Sequence, residues 1–184
     1  KENNFCHQEI GGQIQAINQA GSEDCLYLDI RAPHGSRDNL PVMFWIHGGG
    51  NTSGHKDFYN FSELVKRKDV IVVSPNYRLG PLGFFTHPAI QDYHSGIDKT
   101  SNFGILDLVL ALKWVNENIA SFGGDPNNIT IFGESAGGHN VLSLLVAKQA
   151  KGLFHQAISQ SGYTKSSSLQ NAYKSENFNE DGIS

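Results

Sequence analysis

The chain has 184 residues, 39% of them hydrophobic, and a formal net charge of −4 at pH 7. This length is sufficient for one hydrophobic core, and so small a charge does not indicate binding to nucleic acid or to an anionic membrane surface. No run of about eighteen apolar residues is present, so no membrane span is predicted. The histidines show no metal-ligand spacing, and we expect neither a metal nor a cofactor.

The first half of the chain predicts three strands, at residues 25–31, 41–47 and 70–74. The second of them contains the run PVMFWI at residues 41–46, which is apolar without alternation. Strands of this composition are typically buried on both faces, as in a parallel sheet.

The second half predicts two helices and two strands in alternation. Apolar residues recur at helical spacing in residues 104–120 and 136–147, and short apolar runs at 129–132 and 156–159 are typical of strands. Strands that alternate with helices predict an α/β fold with a doubly wound, mostly parallel sheet. Ligands bind such sheets at the carboxyl ends of the strands.

A G-x-S-x-G pentapeptide, Gly133 to Gly137, joins the last helix to the strand before it. Glycine is needed at both ends, because a side chain there would collide with the neighbouring backbone in so tight a reversal. The pattern is that of a nucleophile elbow, which exposes Ser135 and places the N–H of Ala136 at a helix N-terminus, where it favours negative charge. The alternative is an ordinary loop that carries the pattern by chance.

A second motif consists of His47 followed by Gly48, Gly49 and Gly50, directly after the second predicted strand. Three glycines that leave a buried strand allow bare peptide N–H groups to approach a ligand, as an oxyanion hole requires. A flexible glycine turn is the alternative. The elbow downstream favours an oxyanion loop.

Because it carries both motifs, the chain resembles the type-B carboxylesterase and cholinesterase family of α/β-hydrolases. The resemblance covers most of the chain, in blocks that follow the family's order. The blocks are residues 22–30, 42–50, 76–80, 122–126, 133–137 and 158–162. The resemblance implies a partial α/β-hydrolase fold over residues 1–163, with residues 164–184 as a polar tail, a linker or the start of a cap.

The resemblance also implies roles for individual residues. Ser135 corresponds to the acylated nucleophile. His47 helps to shape the glycine loop, and Glu134 is the acidic neighbour that tunes the field around the nucleophile. The oxyanion hole is formed by the backbone N–H groups of Gly49, Gly50 and Ala136.

The remaining members of the catalytic triad, an acid and a histidine, lie far beyond the serine in this family. We expect them to come from a segment or chain outside residues 1–184. His155 is predicted at the start of the last strand, roughly 15 to 20 Å from Ser135 at about 3.3 Å per residue. His139 follows Ser135 on a helix that leads away from the site, and His47 belongs to the glycine loop.

Two structural pairs follow from the resemblance. Cys25 stands where the family carries a disulfide cysteine, and a bridge to Cys6 implies an oxidising compartment, hence a secreted, periplasmic or extracellular protein. Two unrelated thiols in a cytosolic protein are the alternative. Arg78 and Asp107 resemble a buried salt bridge of the family, and the alternative is two surface charges.

The sequence therefore predicts a serine carboxylesterase that hydrolyses small-molecule carboxylic esters through an acyl-enzyme. Its expected partner is a complementary chain or segment that carries the triad acid and histidine. The alternatives are a catalytically inactive, cholinesterase-like binding or adhesion module and an inactive fragment. The presence of Ser135 argues against the first alternative.

Overall fold

The structure is a computed structural model that describes residues 4–9, 19–35, 38–166 and 168. Its strands are β1 (Gln8–Glu9), β2 (Gln19–Ala20), β3 (Leu28–Arg31), β4 (Leu40–Ile46), β5 (Ile71–Pro75), β6 (Gly124–Glu134) and β7 (Gln156–Gln160). The first two pair with each other, and the other five form one sheet in the order β3-β5-β4-β6-β7. This sheet is mostly parallel, as the sequence predicts.

The helices lie on both faces of the sheet. They are α1 (Ser62–Lys68), α2 (Gly80–Phe84), α3 (Pro88–Tyr93), α4 (Phe103–Asn118) and α5 (Ala136–Val146). Short 3₁₀ turns occupy Gly96–Lys99, Ile119–Phe122 and Lys148–Ala150. Among the described residues, no helix has the length and apolar character that a membrane crossing requires.

The element types predicted for residues 25–31, 41–47, 70–74, 104–120, 129–132, 136–147 and 156–159 are confirmed. Two strands differ most in their bounds: β6 begins at Gly124, five residues before the predicted run, and β3 begins three residues later than predicted. β3 begins at Leu28 because the N–H of Tyr27 donates to Cys25 O, two residues before it, at 2.8 Å, and so does not donate to a neighbouring strand. It also runs antiparallel to β5. The connection 32–39 is too short for the crossover that would make β3 and β4 parallel.

The main core lies between one face of the sheet and helices α4 and α5. Phe44 and Ile131 face each other in the parallel pair β4–β6, and both are fully buried. Leu108 and Leu112 of α4 recur at helical spacing and pack against this face. A smaller cluster on the opposite face contains Trp45, Val65, Val72 and Phe132. Burial on both faces explains why β4 is apolar without alternation.

Arg78 and Asp107 meet and join the segment after β5 to α4. The Arg78 guanidinium donates from Nε to Oδ2 at 2.8 Å and from Nη2 to Oδ1 at 2.7 Å, and the Arg78 backbone N–H donates to Oδ2 at 3.0 Å. Asp107 is buried, so its carboxylate receives these three donors in place of water.

A disulfide joins Cys6 to Cys25. The side chain of Asn76, which follows β5, donates to Cys25 O at 2.9 Å and to Asn4 O at 2.7 Å. The disulfide-bonded segments are therefore attached to the carboxyl end of the sheet.

Asp107→Ala removes the acceptor of three hydrogen bonds and leaves the Arg78 guanidinium without its partner. We expect the free energy of unfolding to fall by about 2 kcal/mol, less than for a fully buried pair because the Arg78 side chain is 36% exposed. The measurement is urea unfolding followed by tryptophan fluorescence.

Glu63→Ala is the matched control, because it breaks the Arg67–Glu63 pair of α1, whose side chains are 75% and 70% exposed. We expect a loss below about 0.5 kcal/mol. Equal effects of the two variants would contradict a structural role for the Arg78–Asp107 bridge.

Candidate active site

Ser135 occupies the one-residue turn between β6 and α5. Its backbone has φ 56° and ψ −122°, a strained conformation for a residue with a side chain, which costs of the order of 1–3 kcal/mol. Two backbone hydrogen bonds hold it there. The Ser135 N–H donates to Gln160 O and the His139 N–H donates to Ser135 O, both at 2.9 Å.

The glycines on either side of Ser135 allow the turn to pack directly against its neighbours. A Cβ at Gly133 would lie 2.5 Å from Gly137 O, and a Cβ at Gly137 would overlap Ile46 O at the end of β4. Neither atom is at the end of a flexible side chain that could move aside. The start of α5 therefore lies against the end of β4, as a nucleophile elbow requires.

The glycine loop lies beside Ser135. A Cβ on Gly48 would be 3.2 Å from Ser135 Cβ and 3.1 Å from Glu134 Oε2, so this loop, Ser135 and the Glu134 carboxylate are neighbours. Gly49 and Gly50 have φ 101° and 64°, which glycine adopts without strain. The N–H groups of Thr52 and Ser53 close the turn on Gly49 O, both at 3.0 Å.

The backbone N–H groups of Gly49, Gly50 and Ala136, which lie at this junction, have no protein acceptor within the described part of the chain. Ala136 is the first residue of α5, so its N–H is one of the donors that a helix N-terminus leaves unpaired. The helix dipole adds a partial positive charge there. Such donors can stabilise an oxyanion.

His47 lies beneath the loop and is 2% exposed. Its Nδ1 is 2.9 Å from Gly48 O. Because a carbonyl only accepts, Nδ1 carries the proton, and the buried Nε2 finds no donor among the described residues. Burial lowers the pKa of His47 to about 4. A neutral ring, stacked on Tyr77 at 4.4 Å, therefore supports the loop and is poorly suited to act as a general base.

Two buried asparagines, to which the sequence analysis gave no role, complete the support of the loop. Asn51 follows Gly50, and Asn140 lies one turn along α5 from Ala136. Their amides bond reciprocally, with Asn140 Nδ2 donating to Asn51 Oδ1 at 2.8 Å and Asn51 Nδ2 donating to Asn140 Oδ1 at 3.3 Å. Only the fold brings them together, and a sequence pattern gives no signal for such a pair.

The other histidines considered lie as the sequence predicts. His155 precedes β7 and pairs with Ile129, its Nδ1 accepting from Ile129 N at 3.2 Å. Ile129 lies six residues before Ser135, about 20 Å along β6. His139 stacks on Tyr163 at 4.2 Å between ring centroids. In the described part of the chain, no histidine is hydrogen-bonded to the Ser135 hydroxyl.

An elbow at the carboxyl end of a central parallel strand defines an α/β-hydrolase fold. The model of the Carboxylesterase family matches residues 1–180, and the chain belongs to that family. It is 48% identical over 153 residues to para-nitrobenzyl esterase of Bacillus subtilis (82% of this chain, 30% of the relative). It is 52% identical over 143 residues to cocaine esterase of Homo sapiens (77% and 24%).

A solved structure of PNB esterase superposes with a TM-score of 0.80 at 43% identity, covering 92% of this chain and 34% of that one. The fold and the family predicted from the sequence are thereby confirmed. The chain spans about a third or less of the length of these relatives.

His47 should make stability depend on pH. Its folded-state pKa of about 4 lies below the ordinary 6.5, so below pH 6.5 the unfolded chain binds a proton that the folded protein does not. Above about pH 6.5, His47 is neutral in both states and does not lower the free energy of unfolding. As the pH falls from 6.5 towards 4, the free energy of unfolding decreases by about 3 kcal/mol.

The test compares free energies of unfolding at pH 7 and pH 4.5. We expect His47→Gln to remove this part of the pH dependence, whereas His34→Gln, at an exposed histidine, keeps the wild-type profile. Identical pH profiles for wild type and His47→Gln would show that His47 is not held neutral by burial.

Proposed function

We propose that this chain carries the nucleophile and the oxyanion hole of a serine carboxylesterase that hydrolyses small-molecule carboxylic esters. The observation that carries the proposal is the contact between the elbow and the glycine loop. The two segments that meet at Ser135 include the backbone N–H groups of Gly49, Gly50 and Ala136, which have no protein acceptor in the described part of the chain. Membership of the carboxylesterase family gives independent support.

In the proposed reaction, Ser135 Oγ attacks the ester carbonyl while its proton passes to a histidine. The N–H groups of Gly49, Gly50 and Ala136 donate hydrogen bonds to the resulting oxyanion. The alcohol leaves with the proton from the histidine and an acyl-enzyme remains. Water repeats the same steps, releases the acid and regenerates Ser135.

The histidine and the acid come, in this proposal, from a segment or chain outside residues 1–184. The Ser135 hydroxyl supports this, because no histidine in the described part of the chain is hydrogen-bonded to it.

The edge strand β7 supports the same view. All five of its residues are exposed, although its neighbour β6 is the strand that leads into Ser135. Ile158 is 46% exposed, and an open edge with apolar side chains is normally covered by further structure. A covering segment at this edge would lie next to the nucleophile, where a triad histidine is required.

We assign the protein to an oxidising compartment, secreted or periplasmic. The Cys6–Cys25 disulfide supports this assignment, because disulfides persist in such compartments and are rare in reducing ones.

Ser135→Ala should abolish both labelling by a fluorophosphonate and turnover of p-nitrophenyl acetate in the active protein, because no other group in the proposal can form the acyl-enzyme. Ser143→Ala, in the same helix, is the control and should leave both unchanged. A retained burst in Ser135→Ala would refute the assignment. Failure of the wild-type protein to label would favour the inactive binding module or the inactive fragment.

Gly49→Ala should lower kcat by about 100-fold or more, the loss that removal of one oxyanion donor produces. The added Cβ would overlap Ser53 O and displace the donor. Gly152→Ala is the control for the cost of a positive φ alone. Gly152 has φ 80°, and among the described residues beyond its chain neighbours no atom lies within 4 Å of its Cβ position. A normal kcat in Gly49→Ala would exclude this loop from the oxyanion hole.

A further inference from the structure

We propose that Asn51 and Asn140 form a buried amide clamp that aligns the glycine loop with the elbow, so that these two side chains set the geometry of the oxyanion-hole donors. This inference rests on the proposed function, since it concerns the same site. Both are positioning residues and act through the backbone of their neighbours.

The clamp connects the two parts of the site directly. Asn51 adjoins Gly50, and Asn140 lies one helical turn from Ala136, so the reciprocal amide bonds join the loop donors to the helix donor. The side chains are 89 residues apart in the chain. Asn51 is 7% exposed and Asn140 is fully buried, so water does not compete for the two hydrogen bonds.

Asn51 is also held by the segment after β5. The Gly80 N–H donates to Asn51 O at 2.6 Å, and the Tyr77 hydroxyl lies 3.3 Å from Asn51 Oδ1 and donates to His47 O at 2.7 Å. Asn51 itself has φ 58°, a conformation that asparagine tolerates better than most residues. Gly80 and Tyr77 therefore hold the Asn51 backbone and side chain in place, and α5 is hydrogen-bonded to this amide through Asn140.

The loop closes on itself through the N–H groups of Thr52 and Ser53, which donate to Gly49 O, and the Asn51 amide adds its connection to α5. Gly49 and Gly50 have no side chains to pack, and their N–H groups are committed to no protein acceptor within the described part of the chain. A reacting group that is misplaced by about 1 Å can cost about 100-fold in rate. In this proposal, the residue that follows the glycines fixes their position relative to α5.

The variants separate positioning from stability. Asn140→Leu and Asn51→Gly each remove one amide, and Asn51→Gly suits the positive φ. The double variant N51G/N140L removes both amides and leaves no buried amide unpaired. Asn116→Leu is the matched control, because Asn116 Nδ2 also joins two elements, donating to Leu112 O at 3.1 Å and Leu153 O at 2.8 Å, away from the loop.

We expect kcat for p-nitrophenyl acetate to fall about 10- to 100-fold in both single variants, with KM changed by less than about threefold. The double variant should lose no more than the worse single variant, because the two amides act as one unit. Asn116→Leu should lower the Tm and leave kcat unchanged. Rates are measured on the active protein, this chain together with the segment that supplies the histidine.

A second readout is the affinity for an aryl trifluoromethyl ketone, which forms a charged hemiketal with the serine. This affinity should fall in parallel with kcat/KM in the clamp variants. If Asn140→Leu does not fold, Asn51→Gly and the double variant decide the question. A lower Tm with unchanged kcat and inhibitor affinity would overturn the clamp. A wild-type protein without esterase activity would instead overturn the proposed function on which the clamp rests.

Discussion

The site depends on the parallel pairing of β4 and β6, in which Ile46 lies opposite Gly133. This register brings both strands to their carboxyl ends at the same level, so that the glycine loop and the elbow emerge side by side. The contact of Gly137 with Ile46 O then sets how closely α5 approaches the loop. A slip of one residue would reverse the faces of β4 and separate the two motifs.

Strained backbone at the site is held by contacts from other elements. Ser135 and Asn51 both have positive φ without being glycine, and each is fixed from outside its own segment. Gln160 O of β7 accepts from Ser135 N–H, and the Gly80 N–H donates to Asn51 O. For the proposed oxyanion hole, rigid support of this kind means that the donors are arranged before a substrate arrives, which is the basis of electrostatic preorganisation.

Features whose cause is local could be predicted from the sequence, and features whose cause is a distant contact could not. Gly133 and Gly137 are required by the turn they flank, and the apolar run of β4 reports its own burial. The short connection 32–39 decides the direction of β3, but the strand with which it pairs, β5, is decided by the fold. The Asn51–Asn140 pair depends on the β4–β6 register, and neither residue carries a pattern that distinguishes it from a loop or helix asparagine.

The polar groups behind the loop are kept uncharged. Burial lowers the pKa of His47 and raises the pKa of Tyr77, so at neutral pH both are neutral, like the two amides beside them. A charge in this buried network would be costly to desolvate and would compete with the backbone dipoles for a developing oxyanion. In the proposed site, the oxyanion is therefore met by the fixed peptide N–H groups of Gly49, Gly50 and Ala136, whose partial charges do not change with pH, and not by a charge on His47 or Tyr77.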